Sequence, residues 1–411
     1  MYTVDDCKEI TKCVACGSEH LTLVLDLNNQ PLANSYKLAK DDVQKEYPLA
    51  INHCNDCHHV QLTHAVDPDL MFRDYLYVSG TSKTLKEYFD WFAKYAQEYY
   101  AGYSGTARTV LDVGCNDGTQ LDSFKALGMS TYGVDPAENL YERSSANHNV
   151  FCGYFNDTYT GDDLPQYFDI INAQNVFAHN DNPLAFLQTA SRFMGAESVM
   201  FVQTSQADMI LNNEFDTIYH EHVSFFNIKS MYELCKRAGL HLVDAIKTPI
   251  HGTSYLFVIS KYRQRDTHIA NLIAMEAAKG LYSDETYVEY AKKCKAVVQD
   301  LADYVNRAGS NDVGWNVVGY GAAAKGMTLL NFSKMRLDFI VDDNPLKQGR
   351  FTPGSSIPIV SADRLDMLSD TTLFVPLAWN FFKEIKAKIK ARRDNEQDQF
   401  ITYFPEVTLV K

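Results

Sequence analysis

Four side chains able to handle protons stand in a row at Tyr219, His220, Glu221 and His222, within the stretch "DTIYHEHVSFF". Histidine has an ordinary pKa near neutrality, glutamate can orient it, and a tyrosine hydroxyl can donate to or accept from an oxyanion. Such a row suits acid–base chemistry. A metal site is a second reading, although HExxH spacing is absent, and a solvated polar loop is a third. Near the start, Cys13 with Cys16 and Cys54 with Cys57 form two CxxC pairs of the kind that presents four thiolates to one zinc ion. His58 and His59 follow the second pair, so a histidine could replace one cysteine. The expected zinc is structural, because a module of roughly 70 residues with so little core needs a staple.

These residues need a frame, and the pattern of the chain supplies one. In "TARTVLDVGCNDGTQLDSFKALGMSTYGVDP" an apolar run predicts a strand over 110–113, Gly114 and Gly118 bracket a turn, and a helix is expected to end at Gly128. A second strand ends at Asp135, placed to take two ribose hydroxyls. The third glycine of a dinucleotide fingerprint is missing, and Asn116 and Asp117 put a carboxylate where a pyrophosphate would sit. A cationic, phosphate-free cofactor, S-adenosylmethionine (SAM), fits better than a nicotinamide. "QYFDIINAQNVFAHNDNP" and "SVMFVQT" read as strands four and five, and "LHLVDAIKT" with "TSYLFVISK" as an antiparallel finishing pair. Asn175 and His179 follow strand four and are expected at the cofactor end. The row 219–222 follows strand five and is expected to be a loop over the same face.

Further along, 263–310 is polar and helical, and "WNVVGYGAAAKGMTLLNF" followed by "LDFIVDDNP" gives a second strand–glycine turn–helix–strand unit. A helix N-terminus there offers N–H groups to an anion, with Lys325 as a charge and Lys347 and Arg350 in a following Gly/Pro-rich loop. This unit alone fits NAD, a nucleotide diphosphate, or a glycine turn needed only for packing. The chain has 411 residues, a formal net charge of −14 and 46% hydrophobic residues. That acidity opposes binding to nucleic acid, no apolar run suits a membrane helix, and nine cysteines without an export signal do not form a disulfide framework. A cytoplasmic monomer is expected.

The run CxxC…CxxC, "DYLYVSGTSKTL", "LDVGCNDGTQL", "NVFAH", "YHEHVSFF", "GYGAAAKG" and "KQGRFTPGSSIPI" resembles, over nearly the whole chain, the sugar C-methyltransferase family, which methylates C-3 of nucleotide-linked 4-keto-6-deoxyhexoses. The resemblance implies an α/β protein in three parts: a zinc-binding module at 1–70, a SAM-dependent methyltransferase Rossmann-like domain at 71–262, and a helical connector with a second Rossmann-like domain at 263–411. It implies His222, Tyr219, Glu221, His179 and Tyr77 as catalytic residues, and Asp112, Gly114, Asn116, Asp117, Gly118, Asp135, Pro136 and Asn175 around SAM. It also implies Tyr75, His220, His251, Gly321, Lys325, Lys347 and Arg350 around a nucleotide sugar, with dTDP as the expected nucleotide. The family often reads "HGGSLR" where this chain has "HGTSYLF" at 251–257, and often has tyrosine where this chain has Phe225; the first bears on the shape of the sugar pocket. Rival expectations are a nicotinamide-dependent sugar oxidoreductase, an O-methyltransferase and a non-catalytic zinc scaffold.

Overall fold

The computed structural model describes residues 6–75, 77–159, 161, 164–204, 208–250, 253–393 and 395–410. His251 and Gly252 lie outside these. A seven-stranded sheet occupies the middle of the chain, in the order His241–Thr248, Ser254–Ser260, Met194–Thr204, Phe168–Gln174, Thr109–Val113, Ser130–Asp135, Asn149–Cys152. Only Ser254–Ser260 runs against its neighbours. Ile170, Ile171, Val199, Phe201 and Leu256 have no solvent exposure, as strands covered on both faces require. Helix Lys83–Ser104, capped by the Ser82 hydroxyl, covers one face through Phe89, Phe92 and Ala96. Helices Pro183–Arg192 and Ile228–Arg237 cover the other. Strand order reverses between Thr109–Val113 and Phe168–Gln174, which opens a crevice at their carboxyl ends, where ligands of such sheets bind.

A second sheet has the order Ile359–Val360, Phe339–Val341, Asn316–Tyr320, Thr372–Pro376, Gln399–Thr402, Thr408–Val410, parallel except for the last strand. The 25-residue helix Asp284–Ala308 leads into it. The N-terminal sheet holds Leu21–Gln30, Tyr47–Cys54 and Val60–Leu62, and its fourth strand comes from far along the chain. Ser224–Phe225 pairs antiparallel with Val60 and Gln61. The row at 219–222 is therefore not a solvated polar loop. It is a buried turn whose exit is fixed by the open edge of the N-terminal sheet.

The apolar cores do not follow sheet boundaries. Leu25, Leu27, Ile51 and Leu62 share one core with Leu301, Val305, Leu329 and Leu330, whereas Cys13, Cys54 and Cys57 pack with apolar residues of the central sheet. Among the described residues, no helix is long and apolar enough to cross a membrane.

Candidate active site

A cavity of about 770 Å³ opens where the three sheets meet, with walls from the N-terminal strands, the central crevice and the C-terminal glycine turn. Its cofactor end is built on two left-handed turns. Gly114 has φ +76°, and a β-carbon there would stand 2.8 Å from Val176. Asn116 and Asn175 also take positive φ, which asparagine tolerates better than most residues. Asp112, Gly114, Asn116, Asp135, Pro136 and Asn175 all line the cavity. Asp135 accepts from the Asn116 backbone N–H at 2.8 Å and from that of Ala137 at 2.9 Å, so its carboxylate is aimed before any ligand arrives. Asp112 accepts from the Asn172 amide at 2.7 Å. Burial pushes both carboxyls above their ordinary range.

Asp117 and Gly118 stand apart from this set. Neither lines the cavity. The Asp117 carboxylate is turned away, accepting from the Gly80 N–H at 3.1 Å and pairing with Arg143 at 2.9 Å. Gly118 is the left-handed N-cap of helix Thr119–Ala126. The carboxylate expected in place of a pyrophosphate instead anchors a strap, residues 73–75 and 77–82, over the cofactor end. Asn116 holds the same strap, accepting from the Ser79 N–H and donating to the Tyr77 carbonyl, while Asn139 donates to the Tyr75 carbonyl. The strap brings Tyr75 and Tyr77 into the cavity wall.

The opening row of residues divides. Tyr219, Glu221 and His222 line the cavity, while buried His220 faces the Tyr47 carbonyl at 3.2 Å, on the side of the N-terminal sheet. It is off the cavity wall, and its ring ties the turn to the N-terminal sheet. His222 Nδ1 lies 2.8 Å from the Thr217 carbonyl, which can only accept, so Nδ1 carries the hydrogen and Nε2 is left as acceptor in the neutral ring. The Tyr219 hydroxyl stands 2.9 Å from Nε2 and donates to it. Burial holds the Tyr219 hydroxyl well above its usual range, so it keeps its proton. His179, its ring stacked on Phe72 and 5.1 Å from that of His222, is pushed down to about 4 by burial and is neutral at physiological pH. Glu221 is pushed up to about 7 by burial, against the pull of donors from Asn34 at 2.6 Å and Tyr75 at 3.2 Å.

The C-terminal wall is cationic. Ala323, Ala324 and Lys325 line the cavity at the start of helix Ala324–Ser333, and Lys347 lines it from the following loop. Lys325 Nζ lies 4.8 Å above the Trp379 ring, and the Trp379 indole N–H donates to the fully buried Asp216 at 2.8 Å. Lys347 donates to the Ala322 carbonyl at 2.8 Å. Burial works against the Lys347 charge, but Tyr36, Asp342 and Glu221 outweigh it and hold the ammonium above its ordinary range. Gly321 and Arg350 are off the wall. Gly321 shapes the turn, at φ +85° and 2.9 Å from Ala378 by its absent β-carbon, and Arg350 closes a turn by donating its backbone N–H to the Lys347 carbonyl at 3.2 Å.

The four thiols of Cys13, Cys16, Cys54 and Cys57 lie within 4.8 Å of one another, with Cys13–Cys57 and Cys16–Cys54 sulfur separations of 3.6 Å. Tetrahedral zinc with bonds of about 2.3 Å places its sulfurs roughly 3.8 Å apart, so the set fits a closed structural site. His59 points to Ser224 and His58 to His53, which leaves four cysteines as the ligand set. The central domain grips both knuckles: Arg237 donates to the Ala15 carbonyl at 2.6 Å and Asn227 to the His58 carbonyl at 2.6 Å. Sequence reasoning missed Asn34, Lys8 and the Asn344–Leu346 segment on the cavity wall. The only local signal for Asn34 is its place in the turn "QPLANSY".

Three family models match in chain order: a zinc binding domain over residues 13–72, a methyltransferase domain over 82–245 and a C-methyltransferase C-terminal domain over 249–405. The chain is 28% identical to C-methyltransferase NovU of Streptomyces niveus, over 99% of this chain and 98% of that one. It is 22% identical to a ubiquinone biosynthesis O-methyltransferase of Nitrosomonas europaea, over 44% of this chain and 82% of that one. Among solved structures, a S-adenosylmethionine-dependent methyltransferase from Clostridium acetobutylicum aligns with 42% of this chain and 91% of its own, at 10% identity and a TM-score of 0.34.

Proposed function

We propose that this chain, a member of the SAM-dependent C-methyltransferase family holding structural zinc, methylates C-3 of a nucleotide-linked 4-keto-6-deoxyhexose, with dTDP as the nucleotide. The observation that carries the reading is a single cavity containing an aimed carboxylate at Asp135, an acceptor nitrogen at His222 paired with Tyr219, and two lysines beside a helix N-terminus. Bound SAM supplies an electrophilic methyl group on a sulfonium. Carbon is a poor nucleophile until a proton leaves, so a base is the first need. A ketone at C-4 makes the C-3 proton acidic, and the Tyr219–His222 pair receives it, with Nε2 as its final site and the Thr217 carbonyl holding the imidazolium that forms. In this reading Tyr77 and neutral His179 donate to the developing enolate oxygen, where preorganised donors have their largest effect, while Tyr75 keeps its hydroxyl on Glu221. Asp135 takes the ribose hydroxyls of SAM, and Lys325, Lys347 and the amides at 323–325 take the diphosphate.

Removing the base separates chemistry from binding. His222→Asn is expected to lower the rate of methyl transfer to dTDP-4-keto-6-deoxyglucose by about 10²- to 10⁴-fold, with SAM affinity unchanged. Because enolisation needs no methyl donor, wild-type protein with S-adenosylhomocysteine should exchange the C-3 proton with deuterium, and the mutant should not. Retained exchange in His222→Asn but not in Tyr219→Phe makes the tyrosine the base. Normal exchange and turnover in both variants overturns the mechanism.

A further inference from the structure

The turn "QPLANSY" lies between the two cysteine pairs of the zinc module, and it enters the cavity. Asn34 lines the wall and its amide donates to Glu221 Oε1 at 2.6 Å, across 187 residues of sequence. Two residues on, the Tyr36 hydroxyl donates to the Ala322 carbonyl at 2.5 Å, the same carbonyl that receives Lys347 from the C-terminal wall. The turn is thus braced against the C-terminal unit while it reaches a carboxylate of the central one. Glu221 is 5% exposed. A carboxylate so buried depends on the donors that face it, and among the described residues there are two, Asn34 on one oxygen and Tyr75 on the other. Lys347, Tyr36 and Tyr219 complete its charged and titratable surroundings.

We propose that Asn34 is a positioning residue through which the zinc module sets the orientation and charge of Glu221 in the active site. This rests on the reading that Glu221 belongs to the catalytic group. A donor to the ionised form favours it, so removing the donor must make Glu221 harder to ionise, and putting a second carboxyl in its place must do so further. Structural loosening alone predicts no such order.

The test uses full-length, zinc-loaded protein labelled with ¹³C at the glutamate side-chain carboxyl, the Glu221 signal being assigned by its loss in Glu221→Gln. Its titration midpoint is expected to rise by on the order of one pH unit in Asn34→Ala and by more in the isosteric Asn34→Asp. Coincident midpoints, or Asn34→Asp no higher than Asn34→Ala, overturn the proposal. If Asn34→Ala does not fold with full zinc content, Asn34→Asp against wild type decides. With SAM and dTDP-4-keto-6-deoxyglucose, kcat of Asn34→Ala should fall about 10- to 100-fold with KM for SAM unchanged; full activity would overturn the proposal. A wild-type protein inert toward that sugar would remove the substrate reading and leave the titration to decide the role of Asn34.

Discussion

Gly114 and Gly321 occupy equivalent points in two strand–turn–helix–strand units. Each donates its N–H at 2.7 Å to the last valine of the second strand, Val134 or Val341, and each precedes by 21 residues an aspartate that closes that strand. Asp135 accepts from the backbones of Asn116 and Ala137, and Asp342 from those of Ala322 and Asn344, at 2.7 to 2.9 Å. The skeletons match, and the charge over them does not. Asp112 and Asp135 line the first turn, whereas Lys325 and Lys347 line the second. One backbone device has been given opposite electrostatic signs, and in the reading proposed above the first receives a sulfonium cofactor and the second a diphosphate.

Reversing the sign on one side should leave the other untouched. Lys325→Glu is expected to weaken binding of dTDP by about a hundredfold or more, with SAM affinity unchanged, both measured by calorimetry. If both ligands weaken equally, the two turns do not work as separate sites. The next effect is smaller. Asp135→Ala should weaken SAM by about 1 to 3 kcal/mol, the scale of charge-assisted hydrogen bonds, with dTDP affinity kept. The smallest effect is in pH. Burial raises the Asp112 and Asp135 carboxyls above their ordinary range; if SAM binding favours their ionised forms, as proposed for a cationic cofactor, SAM affinity should be complete at alkaline pH and fall as pH drops through the raised values. A loss of a few-fold as pH falls from the alkaline side through the raised values, with dTDP affinity flat, sharpens the distinction; a parallel decline for both ligands dissolves it.

Both glycine turns were legible because their signals are local. A glycine at positive φ, an apolar strand before it and an aspartate 21 residues on all lie within one stretch of sequence, and the paired cysteines announce a metal in the same way. The direction of the Asp117 side chain was not legible, because it depends on Gly80 and Arg143, which no spacing rule ties to it. Tyr219, Glu221 and His222 stood out by type, but the separation of His220 from them required knowing that a strand of the N-terminal sheet follows. Asn34 was invisible for the same reason: its partner is remote in sequence, and an asparagine in a proline-containing turn already has a local explanation.

The pairing of Ser224–Phe225 with Val60–Leu62 also sets a timetable for the growing chain. When the N-terminal sheet leaves the ribosome, its last strand presents an open edge, and the segment that covers it is about 160 residues behind. At about 5 to 20 residues per second, that edge waits on the order of ten to thirty seconds. Unpaired edges invite pairing with other chains, so this interval is when newborn molecules are most exposed to aggregation and most dependent on chaperones. Early loading of zinc would hold the knuckles Cys13–Cys16 and Cys54–Cys57 together through it, which makes metal supply during synthesis a determinant of yield.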